Sequence, residues 1–337
     1  MTSHLPPSVS IVIHSWNGRM LLEEMYPSLL CATKEFRDRT GGEWEVIVVD
    51  DGSVDDTIDW IESIPEKNVK LITRRRSTGF AIACNLGFSA CSFDMIVLLG
   101  NDVIVDKDFL LPIIPHLREE GVFGVALKSL TRDRLILNSA GKLGEFRMGL
   151  WKTHQNYDVA NGEEGRSPDD PLYSFSLTSS ACALSREKLR ELGGFEPLLS
   201  PFYWEDVELS YRAWKHGWKI VYEPNSIVYQ DSVKDIRGTL NRVRFERLNT
   251  RNRFIFLWKN LHDPGMFLMH LSSTFLLTLQ AIVTFRASFF LGFWDFLFTL
   301  PEVLRKRGIE KKASRVKDRA IRKLFSELRK KSFIVLK

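Results

Sequence analysis

Acidic and amide side chains stand in this sequence where apolar runs stop. Asn17 follows the run Val9 to His14, Asp50 and Asp51 follow Trp44 to Val49, and Asn101 and Asp102 follow Met95 to Leu99. A later pair, Glu205-Asp206, opens a stretch with helical spacing. Strand-end carboxylates can accept hydrogen bonds from hydroxyl or ring N–H groups and can hold a hard divalent cation such as Mg²⁺ or Mn²⁺, whose shell is often shared with phosphates. A further carboxylate on the rim of the same pocket can take a proton from a hydroxyl. Each residue also has a plainer use. Asp50-Asp51-Gly52-Ser53 is a common turn, Asp206 suits a helix N-cap, Asn85 a hydrogen bond inside a helix, and Trp204 a core aromatic. Only a shared location would favour chemistry over these.

The intervening pattern supplies that location. A helical stripe follows the first run from Met20 to Phe36, with Pro27 expected to kink or divide it. Asp56 to Ser63 reads as a short helix, Val69 to Thr73 as a strand, and Phe80 to Ala90 as a helix. Strands alternating with helices predict a mainly parallel, buried sheet, and such sheets bind ligands beyond the carboxyl ends of their strands. The pattern weakens from Gly121 to Asp170, with a polar, mobile loop expected at Asn161 to Asp170. Order returns at Leu172 to Leu184, followed by a helix from Ser185 to Leu192, the turn Gly193-Gly194, a helix from Glu205 to His216 and a strand from Trp218 to Tyr222.

The chain has 337 residues and a formal net charge of +5. So small an excess does not call for a nucleic-acid partner, and it sits mainly between Arg305 and Lys331. Cys31, Cys84, Cys91 and Cys182 form no C-x-x-C pair, which predicts free thiols in a reducing compartment and no zinc site. Met1 to Ser8 has neither the basic nor the apolar region of a secretory signal.

Taken together, Ile11 to Asn17, Val46 to Ser53, Thr78-Gly79-Phe80-Ala81 with Asn85-Leu86-Gly87, Leu98 to Asp102, and Gly193-Gly194-Phe195 followed by Trp204-Glu205-Asp206 resemble family 2 glycosyltransferases. The resemblance runs from about Ser8 to Lys259 and closes on Arg251-Asn252-Arg253. It implies a GT-A fold over residues 1–260 and an inverting transfer of sugar from a nucleotide-diphosphate donor. By the same resemblance Asp51 lies near the base or ribose, with Asp50 supporting the strand end. Asn17, Gly79, Asn85 and Asn101 complete the donor side. Asp102 touches cation and diphosphate, Trp204 floors the acceptor, and Asp206 is the base, with Glu205 expected to raise its pKa by like-charge repulsion.

This sequence departs from the family pattern twice. Gly100 stands where the metal motif has its first Asp, and Gln230 where relatives often place a His that assists the metal; Gln230 can offer only an amide oxygen. A catalytically inactive nucleotide-sugar-binding module is the rival these departures favour. A nucleotidyltransferase would want a Gly-rich, basic loop after the first strand, and an NAD-linked oxidoreductase a G-x-G-x-x-G; Ser15-Trp16-Asn17-Gly18-Arg19 is neither.

Residues 261–337 read differently. Met266 to Phe285 carries no Lys, Arg, Asp or Glu, long enough against the ~20 residues a span requires. His270, Ser273, Thr274, Gln280 and Thr284 recur near one face, and Arg286 and Asp295 interrupt the apolar character. Helices lying in a membrane interface are the expectation, with the basic tail near anionic headgroups; a true span and a buried hairpin are the alternatives. The resemblance then implies a protein peripheral to the cytoplasmic face of the inner membrane. Its acceptor would be a glycan or lipid-linked sugar of surface polysaccharide, and its donor dTDP-rhamnose, or a UDP- or GDP-sugar.

Overall fold

A computed structural model describes residues 6–134, 136–158, 172–230, 242–330 and 334–336. The polar loop at 161–170 lies outside them. The first half alternates as the apolar runs demand: β1 (Val9–Ser15), α1 (Arg19–Thr40), β2 (Trp44–Asp50), α2 (Thr57–Glu62), β3 (Val69–Thr73), α3 (Phe80–Ala90) and β4 (Met95–Gly100). Pro27 does not divide α1. Leu22, Met25, Leu29, Ala32 and Phe36 are buried on both sides of it, and their packing outweighs the roughly 3 kcal/mol an interior proline costs.

After the two-residue β5 (Ile104–Val105), α4 (Ile113–Arg118) and β6 (Val122–Leu130) come β7 (Leu137–Ser139) and a hairpin of β8 (Gly141–Arg147) and β9 (Leu150–Asp158). The sequence pattern hid this hairpin. Then follow β10 (Ala181–Ser185), α5 (Arg186–Leu192), α6 (Glu205–Lys215) and β11 (Lys219–Tyr229), the last running well past Tyr222.

The main sheet has the order β3-β2-β1-β4-β10-β6-β11-β5, with β7 on β6. β1 to β4 pair in parallel, as do β6 and β11, while β10 runs antiparallel between β4 and β6. The sheet is therefore mixed but mainly parallel. Its parallel strands all end at one edge, where Ser15 pairs with Asp50 and His14 with Gly100. The chain winds outward from β1 to β3 and returns on the other side of β1 as β4. That reversal is a topological switch point, where open α/β sheets hold ligands.

Four helices close the described chain: α7 (Arg242–Asn260), α8 (Pro264–Val283), α9 (Ala287–Ala313) and α10 (Asp318–Leu328). A short β12 (Ile334–Leu336) pairs with β9. α9 packs closely along α7, where a Cβ on Gly292 would lie 2.4 Å from the Arg247 carbonyl oxygen. Arg247 also forms a forked ion pair with Asp295, at 2.5 and 2.7 Å. Asp295 thus interrupts the apolar run because it has a partner on the neighbouring helix.

α8 is built inside out. Its polar His270 and Ser273 face the domain, with His270 Nδ1 3.1 Å from the Gly149 carbonyl, whereas Leu268, Phe275 and Leu279 are exposed. This contradicts the buried hairpin, since only a narrow face of each apolar helix is covered. It also corrects the expected polarity: part of the polar face meets protein, not water.

Candidate active site

The strand-end residues converge, but they are not equivalent. Asp50 is fully buried and turns back on its own loop, accepting from Gly52 N at 3.2 Å, Ser53 N at 3.1 Å and the Ser53 hydroxyl. Asn17, with φ of 49°, completes this turn: its N–H donates to Ser53 Oγ at 2.7 Å and its Oδ1 accepts from Val54 N at 2.8 Å. Asn101 Nδ2 reaches Ser15 Oγ at 3.3 Å across the β1/β4 switch.

Asp51 is 1% exposed and accepts from Ser77 Oγ at 2.7 Å, Thr78 N at 2.9 Å and Gly79 N at 2.9 Å. Burial alone would raise its pKa, yet His14 and these donors win and hold it well below the usual carboxylate range. Its oxygens brace the 77–79 loop. Gly79, at φ of 91°, lets that loop meet the segment before α6; a Cβ there would lie 2.6 Å from Pro201 Cα.

Asn85 belongs to the scaffold. Its Oδ1 accepts from Phe195 N at 2.8 Å and its Nδ2 donates to Phe195 O at 2.9 Å, which ties the amide to that backbone. Gly194, at φ of 74°, has no Cβ to strike Asn85 Oδ1. Asn85 thus locks α3 to the approach to α6.

Asp102 and Gln230 do meet, although far apart in sequence. Gln230 Nε2 donates to both Asp102 oxygens at 2.9 Å, and Gln230 Oε1 accepts from Ser180 Oγ at 3.0 Å. Among the described residues no group of three or more His, Cys, Asp or Glu could enclose a metal ion. The protein therefore offers a sparse oxygen set, which suits a cation completed by phosphates and water. Turning the Gln230 amide over would present Oε1 beside Asp102, and Ser180 Oγ could then accept from Nε2. A Cβ at Gly100 would lie 2.7 Å from Asp102 Oδ1, so a side chain there would crowd that carboxylate.

Glu205 and Asp206 open α6 and divide sharply. Glu205 is buried, and its Oε2 has no hydrogen-bond partner among the described residues. Burial, reinforced by the Asp206 charge, pushes its carboxyl up to about 8. The side chain that enters the core is thus the one whose pKa is raised. Asp206 is half-buried and accepts from Val207 N at 2.7 Å. Trp204, in a left-handed conformation, occupies the N-cap position instead of Asp206. One face of its ring stacks on Phe256 and Nε1 donates to Asn249 at 2.7 Å, so at most the other face can serve an acceptor. Glu205 and Asp51 both add to the burial that raises the Cys84 thiol, which places the two carboxylates around one buried sulfur.

A buried ion network, invisible in local sequence, fixes this helix. Glu208 accepts from Arg212 at 2.8 Å and from Lys259 at 2.6 Å, while Lys259 also reaches Glu196 at 2.7 Å. Burial alone would raise Glu208, but the two cations hold it at about 2. Asn252 Nδ2 adds donors to the carbonyls of Leu199, Phe202 and Tyr203 at 2.7 to 2.9 Å. The Arg251-Asn252-Arg253 segment therefore shapes the loop that presents Trp204 to Asp206.

Comparison with known proteins agrees with this architecture. Residues 10–175 match Glycosyl transferase family 2, and residues 95–301 match Glycosyl transferase family group 2. The inactive polypeptide N-acetylgalactosaminyltransferase-like protein 5 of Mus musculus is 26% identical over 242 residues, 68% of this chain and 55% of that protein. The chain spans between 38% and 55% of the length of the first curated relatives it matches. A mannosyltransferase from Pyrobaculum calidifontis, solved with GDP-Man and Mn²⁺, superposes with a TM-score of 0.53 at 16% identity, covering 97% of this chain and 80% of that one. GalNAc-T7 with UDP, GalNAc and Mn²⁺ gives 0.55 at 17% identity, covering 81% and 55%. These structures share the GT-A fold with this chain.

Proposed function

Since the chain belongs to the family 2 glycosyltransferases, we propose that it moves a sugar from a nucleotide-diphosphate donor to an acceptor hydroxyl with inversion at the anomeric carbon. The observation that carries this reading is the meeting of Asp102 with Gln230 at the strand ends of the sheet. Asp206 takes the proton of the acceptor hydroxyl, whose oxygen attacks the anomeric carbon as the bond to the nucleoside diphosphate breaks. Asp102 and Gln230 lie where the diphosphate leaves, and a bound Mg²⁺ or Mn²⁺ would neutralise its charge there. Asn17, Asp50 and Asn101 shape the donor side, and Asp51 contributes through the 77–79 loop that it braces. Residues 1–260 form the catalytic unit. Residues 261–337 form a membrane-associating unit on the cytoplasmic face, its exposed apolar helix faces resting on the bilayer.

A lipid-linked or glycan acceptor of surface polysaccharide fits such a location, and dTDP-rhamnose heads the donors to try, ahead of UDP- and GDP-sugars. The rival, donor binding without turnover, draws on the Gln230 amide lying across Asp102. A panel of nucleotide sugars incubated with the full chain in Mg²⁺, Mn²⁺ or EDTA separates the two. Metal-stimulated nucleotide release with one donor is expected. Binding without release, even with lipid-linked acceptors added, supports the rival, and an absence of binding across the panel contradicts both.

A further inference from the structure

A groove of about 620 Å³ lies away from the strand ends, between β8 and α10. One face of α10 is buried through Ile321, Phe325 and Leu328. The other carries Arg319, Arg322 and Lys323 at helical spacing along the groove, with Arg329 and Lys330 just beyond the helix end. The local acids are already engaged: Arg319 pairs with Asp263 at 2.6 Å, Arg329 with Glu145 at 2.9 Å, and Lys323 lies 3.8 Å from Glu327. Arg322 and Lys330 are exposed and have no acidic partner among the described residues. The groove thus keeps an uncompensated positive charge in a concave site.

Its position gives that charge a partner. Arg319 is tied to Asp263, the residue immediately before α8, and a Cβ on Gly265 would meet its Nη2 at 3.2 Å. On the other side the β8–β9 turn abuts α8, where a Cβ on Gly149 would lie 2.5 Å from the Met269 carbonyl oxygen. Both walls of the groove therefore touch the first turns of the helix whose Leu268 and Phe275 are 65% and 64% exposed; Met148, at the turn, is 64% exposed. We infer that this groove seats the phosphate of an anionic phospholipid headgroup from the bilayer on which α8 and α9 rest. The inference depends on the membrane reading above. An apolar face supplies attachment to any bilayer, and the groove adds a preference for anionic lipid.

The full chain is mixed with phosphatidylcholine vesicles, with or without phosphatidylglycerol, and bound protein is measured by flotation. Arg322→Glu/Lys330→Glu and Phe275→Asp/Phe298→Asp are tested beside it; all four side chains are exposed. Wild type is expected to prefer phosphatidylglycerol, and the groove variant to lose on the order of tenfold or more of that binding while keeping its binding to neutral vesicles. The apolar-face variant should lose both. Equal binding of wild type to the two vesicles, or an unchanged preference in the groove variant, overturns the headgroup site and leaves the membrane reading standing. No binding to either vesicle removes both. Soluble glycerol phosphate that raises the melting temperature through Arg322 and Lys330, without a vesicle preference, would assign the groove to a soluble phosphate ester and also overturn the inference.

Discussion

The end of β2 and the start of α6 each present two adjacent acidic residues, and they handle the charge in opposite ways. At β2, Asp50 and Asp51 are buried but surrounded by backbone and hydroxyl donors, and the Asp51 charge is stabilised. At α6, Glu205 is buried with one oxygen unpartnered and its carboxyl raised to about 8, while Asp206 is half-buried. The first arrangement builds a rigid loop. The second holds an acid of raised pKa in the core beside a half-buried one.

Asp51→Ala should break the comparison most strongly on the β2 side. It would strand the Thr78 and Gly79 N–H groups, and a loss of about 3 kcal/mol is expected in urea unfolding. In the wild type, the depressed Asp51 pKa means that its stabilisation is present above about pH 4 and is lost as the pH falls through the folded value. Glu205 has the reverse sign. Its raised pKa gives stability that is full below about pH 4 and is lost progressively as pH rises through about 8. Glu205→Gln should therefore flatten the thermal stability profile between those limits, gaining on the order of 2 kcal/mol over wild type near pH 8. A parallel profile for the two proteins would show that Glu205 is ionised in the fold. The smallest effect is expected from Ser53→Ala, which removes one hydroxyl from Asp50 and one acceptor from Asn17 N, for about 1 kcal/mol by denaturant midpoint.

What was legible follows from range. The strands and helices of the first half came from short apolar periods, and the strand-end position of Asn17, Asp50, Asp51 and Asp102 came with them. The β8–β9 hairpin was not legible, because its strands mix glycine, charge and aromatic residues without clean alternation, and the aromatic packing that holds it involves Phe175 and Tyr211 from elsewhere. The Asn85–Phe195 lock was not legible, because spacing does not report a partner 110 residues away. The direction of α8 was unreadable for the same reason: the partner of His270 is a carbonyl in a distant turn. The burial of Glu205 was not legible either, since adjacency alone does not say which side chain of a pair points inward.

Asp206→Asn tests the central claim most directly, with donor binding and sugar transfer measured on the same preparation. The exchange keeps the hydrogen bond from Val207 N and removes the base. Unchanged donor binding with transfer reduced by about 10²- to 10⁴-fold is predicted. Transfer at the wild-type rate would contradict the assignment of the base, and loss of donor binding would move Asp206 from the acceptor side of the site to the donor side.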